Sequence, residues 1–312
     1  MNFETYIDVN SARLEEIMLP GIDTSVKIYI KREDKFHLAI SGNKWRKLKY
    51  NLIEAKKQNK DTLLTFGGAY SNHIYATASA GKLFGFKTIG FIRGEEHLPL
   101  NPTLAFAVKN RMQLHYVNRT EYRRRYDSDF IEDVYKKFGD VYFIPEGGTN
   151  LFALKGAAEI IDDINIDYDY ICSACGTGGT LAGIIAGLNG NKKALGFPVL
   201  KGASFLNRNI KSLLEAYKGK SFDNWQLFFD YHFGGYAKIN CELIDFIFEF
   251  EKLNGIKLDP VYTGKMMYGV YDLITKGYFK SGSTIVAIHT GGLQGIAGMT
   301  PKIEKLLHQA AQ

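Results

Sequence analysis

The chain has 312 residues, 46% of them apolar, 13% aromatic and 23% charged. That balance excludes a disordered chain and allows a large core, divided between two domains because single cores rarely grow beyond about 250 to 300 residues. The formal charge of +6, from 39 basic and 33 acidic residues, suits a small anionic ligand and disfavours a nucleic-acid partner. The first residues, MNFETYIDVN, lack the basic-then-apolar order of a signal peptide, and no apolar run approaches the roughly 20 residues that cross a bilayer. The expectation is a cytoplasmic protein with no membrane partner.

In chain order, short β-rich runs alternate with helical patterns. VKIYIK (26–31) precedes a helix beginning near Lys44; TLLTF (62–66) precedes one near Asn72; TIGFI (88–92) precedes one near Thr103. Arg119, Arg123, Arg124 and Arg125 then lie in a polar stretch that reads as a solvated helix face. YFIP (142–145) leads to a helix near Leu151 and YICS (170–173) to one near Gly179; helices near Asn240 and Lys265 follow, and TIVAIH (284–289) leads to one near Leu293. Such alternation predicts an α/β fold, and the strands apolar at nearly every position predict parallel sheets covered by helices on both faces. Cys172, Cys175 and Cys241 have neither the partners nor the spacing of a zinc site, so no metal is expected and the CxxC pair reads as strand-end packing.

Glycine-rich turns follow these strands directly: GGAYSNH, EGGTN, CGTGGT and HTGG. Ligands of open parallel sheets bind at the carboxyl ends of strands, so one site fed by several turns is expected. In SACGTGGTLAG (173–183), Gly176, Gly178 and Gly179 let backbone N–H groups approach an anion, while Thr177 and Thr180 add hydroxyl donors at a helix start. This reads as a phosphate cradle, with a tight packing turn as the bland alternative; GxxxxGK[ST] and GxGxxG are both absent.

In SGNKWRKLKY (41–50), Lys44 falls in the first turn of a helix. An ammonium there opposes the helix dipole, which suggests an amine of lowered pKa or one engaged covalently. Lys47 and Lys49 compete for that role but read as solvated helix residues. In GGAYSNH (67–73), Ser71 suits an N-cap, and Ser71 with Asn72 could equally serve a carboxylate or a ring oxygen. His73 has no acidic partner within the motif and gives no sign of a triad.

Taken together and in order, GNKWRKL, GGAYSNH, IPEGGTN, CGTGGT, DPVYTGK and HTGG resemble the pyridoxal-phosphate enzymes of the tryptophan-synthase β type, or fold type II, over roughly residues 20–300. More narrowly they resemble the branch containing D-cysteine desulfhydrase and 1-aminocyclopropane-1-carboxylate deaminase. The resemblance implies two domains, each a mostly parallel sheet flanked by helices: a large one of residues 1–47 and 156–312 and a small one of residues 48–155, in a homodimer. It implies pyridoxal phosphate as cofactor and a small amino acid as substrate, converted by β-elimination to a 2-keto acid, ammonia and the leaving group.

Residue by residue, the resemblance gives Lys44 the Schiff base and the role of base, Asn72 the ring hydroxyl, and Gly176, Thr177, Gly178, Gly179 and Thr180 the phosphate. Ser71 falls near the substrate carboxylate or reacting carbon, Tyr262 near the ring, and Tyr236 matches a second active-site tyrosine. Thr263 replaces a glutamate that deaminases of the VYEGK pattern can turn to the pyridine nitrogen, and Thr290 matches a hydroxyl placed against that nitrogen. A hydroxyl makes a weaker electron sink than a carboxylate and suits β-elimination, with the deaminase and a non-catalytic cofactor-binding protein as alternatives. On the substrate side, next to Ser71, His73 and Thr263, the unusual Tyr70, Tyr75 and Trp45 are expected to crowd the pocket.

Overall fold

Strand β3 (Thr62–Gly68, TLLTFGG) buries its five central residues without alternation, so it can only lie inside a sheet covered on both faces. A computed structural model, which describes Phe3 and residues 5–310, places it there. Its neighbours are β4 (Lys87–Arg93) and β6 (Tyr142–Ile144), with β5 (Met112–Val117) beyond β4; every pairing in this four-stranded sheet is parallel. A second sheet has the order β1 (Leu14–Glu16), β2 (Lys27–Lys31), β10 (Thr284–Ile288), β7 (Tyr170–Cys175), β8 (Lys193–Pro198) and β9 (Trp225–Leu227). Its pairings are parallel except for the edge hairpin of β1 with β2. The molecule is thus α/β with two parallel sheets, each flanked by helices.

Around the small sheet lie α1 (Asn43–Lys57), α2 (Asn72–Phe84), α3 (Pro102–Lys109), α4 (Arg119–Arg123) and α5 (Ser128–Phe138). The large sheet is enclosed by α6 (Leu151–Asp162), α7 (Gly179–Leu188), α8 (Phe205–Lys218), α9 (Cys241–Asn254), α10 (Thr263–Thr275) and α11 (Thr300–Ala310). On one face Ile28, Ile285 and Phe197 pack with Phe250 of α9 and Met266 and Val270 of α10. On the other, Ile171, Val286 and Ile288 pack with Leu154, Leu181 and Ile210 from α6, α7 and α8.

Helix α1 crosses α6 closely because Gly156 has no side chain: a Cβ there would stand 1.9 Å from the Arg46 carbonyl oxygen. Arg46 of α1 donates to Glu33 through Nε and Nη2 at 2.8 and 2.9 Å, and also pairs with Asp163 just after α6. Glu33 is wholly buried, so this guanidinium is its compensating charge. The contacts fix the helix that carries Lys44.

Several sequence expectations need correction. The segment from Leu293 is a 3-10 turn, Leu293–Gly298, and the last helix begins at Thr300. Arg125 is no solvated-face residue: its guanidinium lies 4.7 and 4.6 Å from the ring centroids of Tyr122 and Tyr126 and donates to Glu146 at 2.8 Å. Trp45 is 2% exposed and belongs to the core beneath α1 and α2, with Leu48 and Phe84, not to a substrate pocket. Cys172 and Cys175 are buried in β7, and burial pushes the Cys175 thiol up to about 12. No helix among the described residues is long and apolar enough to cross a membrane.

Candidate active site

Two turns face each other across the gap between the sheets. From the large sheet, β7 ends at Cys175 and α7 starts at Gly179, with Gly178 at the N-cap in the left-handed region (φ 81°). A glycine cap has no side chain to satisfy the first turn of α7, whose N–H groups have no intrahelical acceptor. The other turn precedes α1: Gly42 has φ 63°, and a Cβ there would stand 2.0 Å from the Thr290 carbonyl oxygen. Only glycine lets the start of α1 lie against the strand end that carries Thr290 and Gly291.

Between them opens a cavity of about 550 Å³, counted to its solvent-open mouth, lined chiefly by Asn43, Lys44, Lys47, Asn72, the residues 176–178, Thr180, Tyr262 and Thr290. Lys44 Nζ donates to Asn43 Oδ1 at 2.8 Å, and burial lowers its ammonium to about 8 while the Asp259 charge resists the shift. Asn43 Nδ2 donates to Thr180 Oγ1 at 2.9 Å, which leaves the Thr180 hydroxyl proton free for an acceptor in the cavity. Asn72 Oδ1 accepts from Gln294 Nε2 at 3.1 Å, so its own amide protons remain available.

Lys47 is the residue that sequence reasoning missed. It is 3% exposed, not solvated, and its Nζ donates to Gly147 O at 2.8 Å and Thr149 Oγ1 at 3.1 Å. Burial first, and Lys44 second, hold its ammonium well below the usual lysine range. The signal was its spacing: three residues after Lys44, it shares that residue's helix face. The Thr149 and Thr177 hydroxyls, 2.6 Å apart, complete this wall.

The remaining expected residues divide. Tyr262 lines the cavity, and Tyr236 meets it edge-on with ring centroids 6.1 Å apart. Burial, then Tyr236, holds the Tyr262 phenol well above its ordinary value. Ser71 caps α2, its Oγ accepting from Ile74 N at 3.3 Å, so its hydroxyl proton can still be donated. Tyr70 packs under Gly298, is 49% exposed and is not among the cavity's lining residues.

Three substrate-side expectations fail. His73 points back between β3 and β6. Thr65 Oγ1 donates to Ile144 O and receives from His73 Nε2, both at 2.8 Å, which leaves Nδ1 buried without a hydrogen-bond partner. Thr263 turns from the cavity as well: its hydroxyl donates to Asp259 Oδ2 at 2.7 Å, because Asp259 gathers the start of α10. The contrast with a glutamate at that position therefore loses its force, and Thr290 alone carries it. Tyr75 stacks on Phe106 at 3.7 Å and takes no part in the cavity wall.

The sequence pattern of the family described as "Pyridoxal-phosphate dependent enzyme" matches residues 14–291. The chain belongs to this family. A pyridoxal-phosphate enzyme needs an amine, an anion cradle and donors for the ring, and the cavity has lysine, amide, hydroxyl and backbone N–H donors with no carboxylate among its lining residues. The donor set fits the cofactor: Lys44 would meet its carbonyl carbon, the 176–180 turn with Lys47 would hold its phosphate, and Asn72 would reach a ring oxygen.

Among relatives, a Pyrococcus horikoshii protein named "Putative 1-aminocyclopropane-1-carboxylate deaminase" is 34% identical, over 93% of this chain and 92% of its own. The Arabidopsis thaliana "Bifunctional D-cysteine desulfhydrase/1-aminocyclopropane-1-carboxylate deaminase, mitochondrial" is 31% identical over 93% of this chain and 78% of its own. A crystal structure described as an ACC deaminase homologue superposes with a TM-score of 0.83 at 30% identity, covering 97% of each chain.

Proposed function

We propose that this enzyme eliminates the β-substituent of a small amino acid, in the manner of D-cysteine desulfhydrase, and releases a 2-keto acid and ammonia. Bound pyridoxal phosphate supplies an electron sink conjugated with the substrate's α-carbon. The protein's part is to hold and move protons. Lys44, whose amine burial lowers to about 8, would anchor the cofactor and then accept the α-proton at Nζ. The electron pair left on the α-carbon expels the β-substituent, and water completes the products: D-cysteine plus water gives pyruvate, ammonia and hydrogen sulfide. Ser71 and the free N–H groups of its turn are offered to the substrate carboxylate, and Tyr262 with Tyr236 closes the opposite side.

The observation that carries this reading is the absence of a carboxylate from the cavity's lining residues, where Thr290 supplies only a hydroxyl. A neutral partner leaves the ring nitrogen a weaker sink, sufficient where the leaving group accepts the electrons and poor for opening a cyclopropane. The relatives named as 1-aminocyclopropane-1-carboxylate deaminases support that second reading. Keto-acid release from D-cysteine, β-chloro-D-alanine and 1-aminocyclopropane-1-carboxylate decides between them. Comparable kcat/KM on the cyclopropane substrate would overturn the elimination reading.

We take the small domain as residues 48–155, with both boundaries inside helices, α1 and α6, that cross closely at Gly156. The working form is proposed to be a cytoplasmic homodimer, to be checked by sedimentation equilibrium.

A further inference from the structure

At its carboxyl edge the small sheet ends in the register pair Gly68 and Arg93. Gly68 O accepts Ser71 N at 3.0 Å and closes the turn that presents Ser71. The Arg93 guanidinium lies over that turn: a Cβ on Gly68 would stand 3.7 Å from Arg93 Nη2. On its other side, Arg93 Cζ is 5.7 Å from the Tyr122 ring centroid.

The neighbouring carboxylate is already committed. Glu146 accepts from Tyr122 Oη and from Arg125 Nη2, each at 2.8 Å. Of the two guanidinium groups near the Tyr122 ring, Arg125 holds that carboxylate, and among the described residues no carboxylate pairs with Arg93. The Arg93 charge is felt at Tyr236, where it works against the upward push of burial on the phenol. Tyr236 in turn packs on Tyr262 in the cavity wall. Arg93 is thus an exposed guanidinium beside the turn that leads through Ser71 to Asn72, and Asn72 lines the cavity.

We propose that Arg93 is a specificity-determining residue which receives a second negative charge on the substrate, carried by its β-substituent as a phosphate, sulfonate or carboxylate. The proposal rests on the elimination reading of the site. The turn amides at Ser71 are enough for the α-carboxylate, so a guanidinium one strand further out is left for another anion. Inside, the cavity's lining residues include Lys44 and Lys47 and no carboxylate, a wall suited to an anionic substrate.

The test uses holoenzyme, wild type and Arg93→Gln, titrated calorimetrically with both enantiomers of O-phosphoserine and of serine. Keto-acid release from O-phosphoserine and β-chloroalanine is followed in parallel. Wild type should bind one phosphoserine enantiomer roughly tenfold or more tightly than the matching serine, and Arg93→Gln should erase the preference. The kcat/KM ratio of phosphoserine to β-chloroalanine should fall by a similar factor. Equal binding of serine and phosphoserine by wild type, or an unchanged ratio in the variant, would overturn the proposal.

Should Arg93→Gln fail to fold, Arg93→Lys and ionic strength replace it. The lysine variant should keep most of the preference, and rising salt should shrink it in wild type; a salt-independent preference, or its full loss in the lysine variant, would overturn the role of charge. A phosphoserine preference without keto acid from any substrate would sink the elimination reading and leave the Arg93 assignment standing.

Discussion

Lys47 follows Lys44 by three residues on α1, and both side chains line one cavity that has no carboxylate in its wall. Burial first, and then the neighbouring Lys44, lowers the affinity of Lys47 for a proton. A buried ammonium held only by Gly147 O and two threonine hydroxyls lacks a counter-charge, and an anion is what the arrangement calls for. Replacing Lys47 by methionine keeps the volume and removes the charge. Cofactor affinity should fall by a factor of about ten to a hundred, the worth of a charge-assisted hydrogen bond. Titration of apoprotein with pyridoxal phosphate, followed by visible absorbance, measures it; an unchanged Kd would remove Lys47 from the phosphate site.

Lys44 sets the pH dependence of cofactor uptake. Only the neutral amine attacks an aldehyde, and with a pKa of about 8 in place of 10.5 the neutral fraction is about a tenth at pH 7 and nine-tenths at pH 9. The uptake rate should therefore rise roughly tenfold between those pH values and level off above. An ordinary lysine would still be climbing steeply at pH 9. Stopped-flow absorbance on apoprotein gives the profile, and Lys44→Ala should abolish the covalent spectrum while leaving far-UV circular dichroism intact.

Gly42 links that amine to Thr290. An alanine there would place its Cβ 2.0 Å from the Thr290 carbonyl oxygen, at a φ of 63° that L-residues rarely adopt. Both faults act together, so Gly42→Ala should cost upwards of about 2 kcal/mol. It should also slow cofactor uptake, since relief of the clash moves the start of α1 or the Thr290 wall. Denaturant unfolding of the apoprotein and the same stopped-flow assay report the two effects separately.

What the sequence disclosed and what it hid have physical causes. β3, β4 and β7 are apolar along their length because both faces are covered, and the glycine turns that follow them are local signals. β5 was missed because it lies at the sheet edge and reads MQLHYV, mixed in polarity; β8 ends in Gly-Phe-Pro, which imitates a turn. In the site, Lys44, Asn72, Tyr262, Thr290 and the 176–180 turn were legible because each adjoins a strand end or helix start. Lys47 and Thr149 were not, because their roles depend on which helix face turns inward. Trp45, Tyr75, His73 and Thr263 were misread for the same reason: adjacency to a motif does not fix side-chain direction. The Thr263 hydroxyl follows Asp259, and the His73 ring follows Thr65.

Arg46, two positions after Lys44, ties the site to the fold. Its partner Glu33 is wholly buried, so removing the guanidinium strips that carboxylate of both charge-assisted hydrogen bonds out of reach of water. Arg46→Met should cost about 3–5 kcal/mol, the usual penalty for breaking a buried ion pair from one side. Glu33→Gln in the same chain removes the orphaned charge and should return most of that loss, because an uncharged amide is far less costly to bury. A double variant no more stable than Arg46→Met would show that the guanidinium acts by packing on Phe36, whose ring centroid is 4.7 Å from it, and not by charge. The measurement belongs on apoprotein, since bound cofactor stabilises the native state by mass action and would mask the difference. Denaturant midpoints at constant m-value give the two free energies, and cofactor titration of the double variant tests whether α1 has kept Lys44 in place.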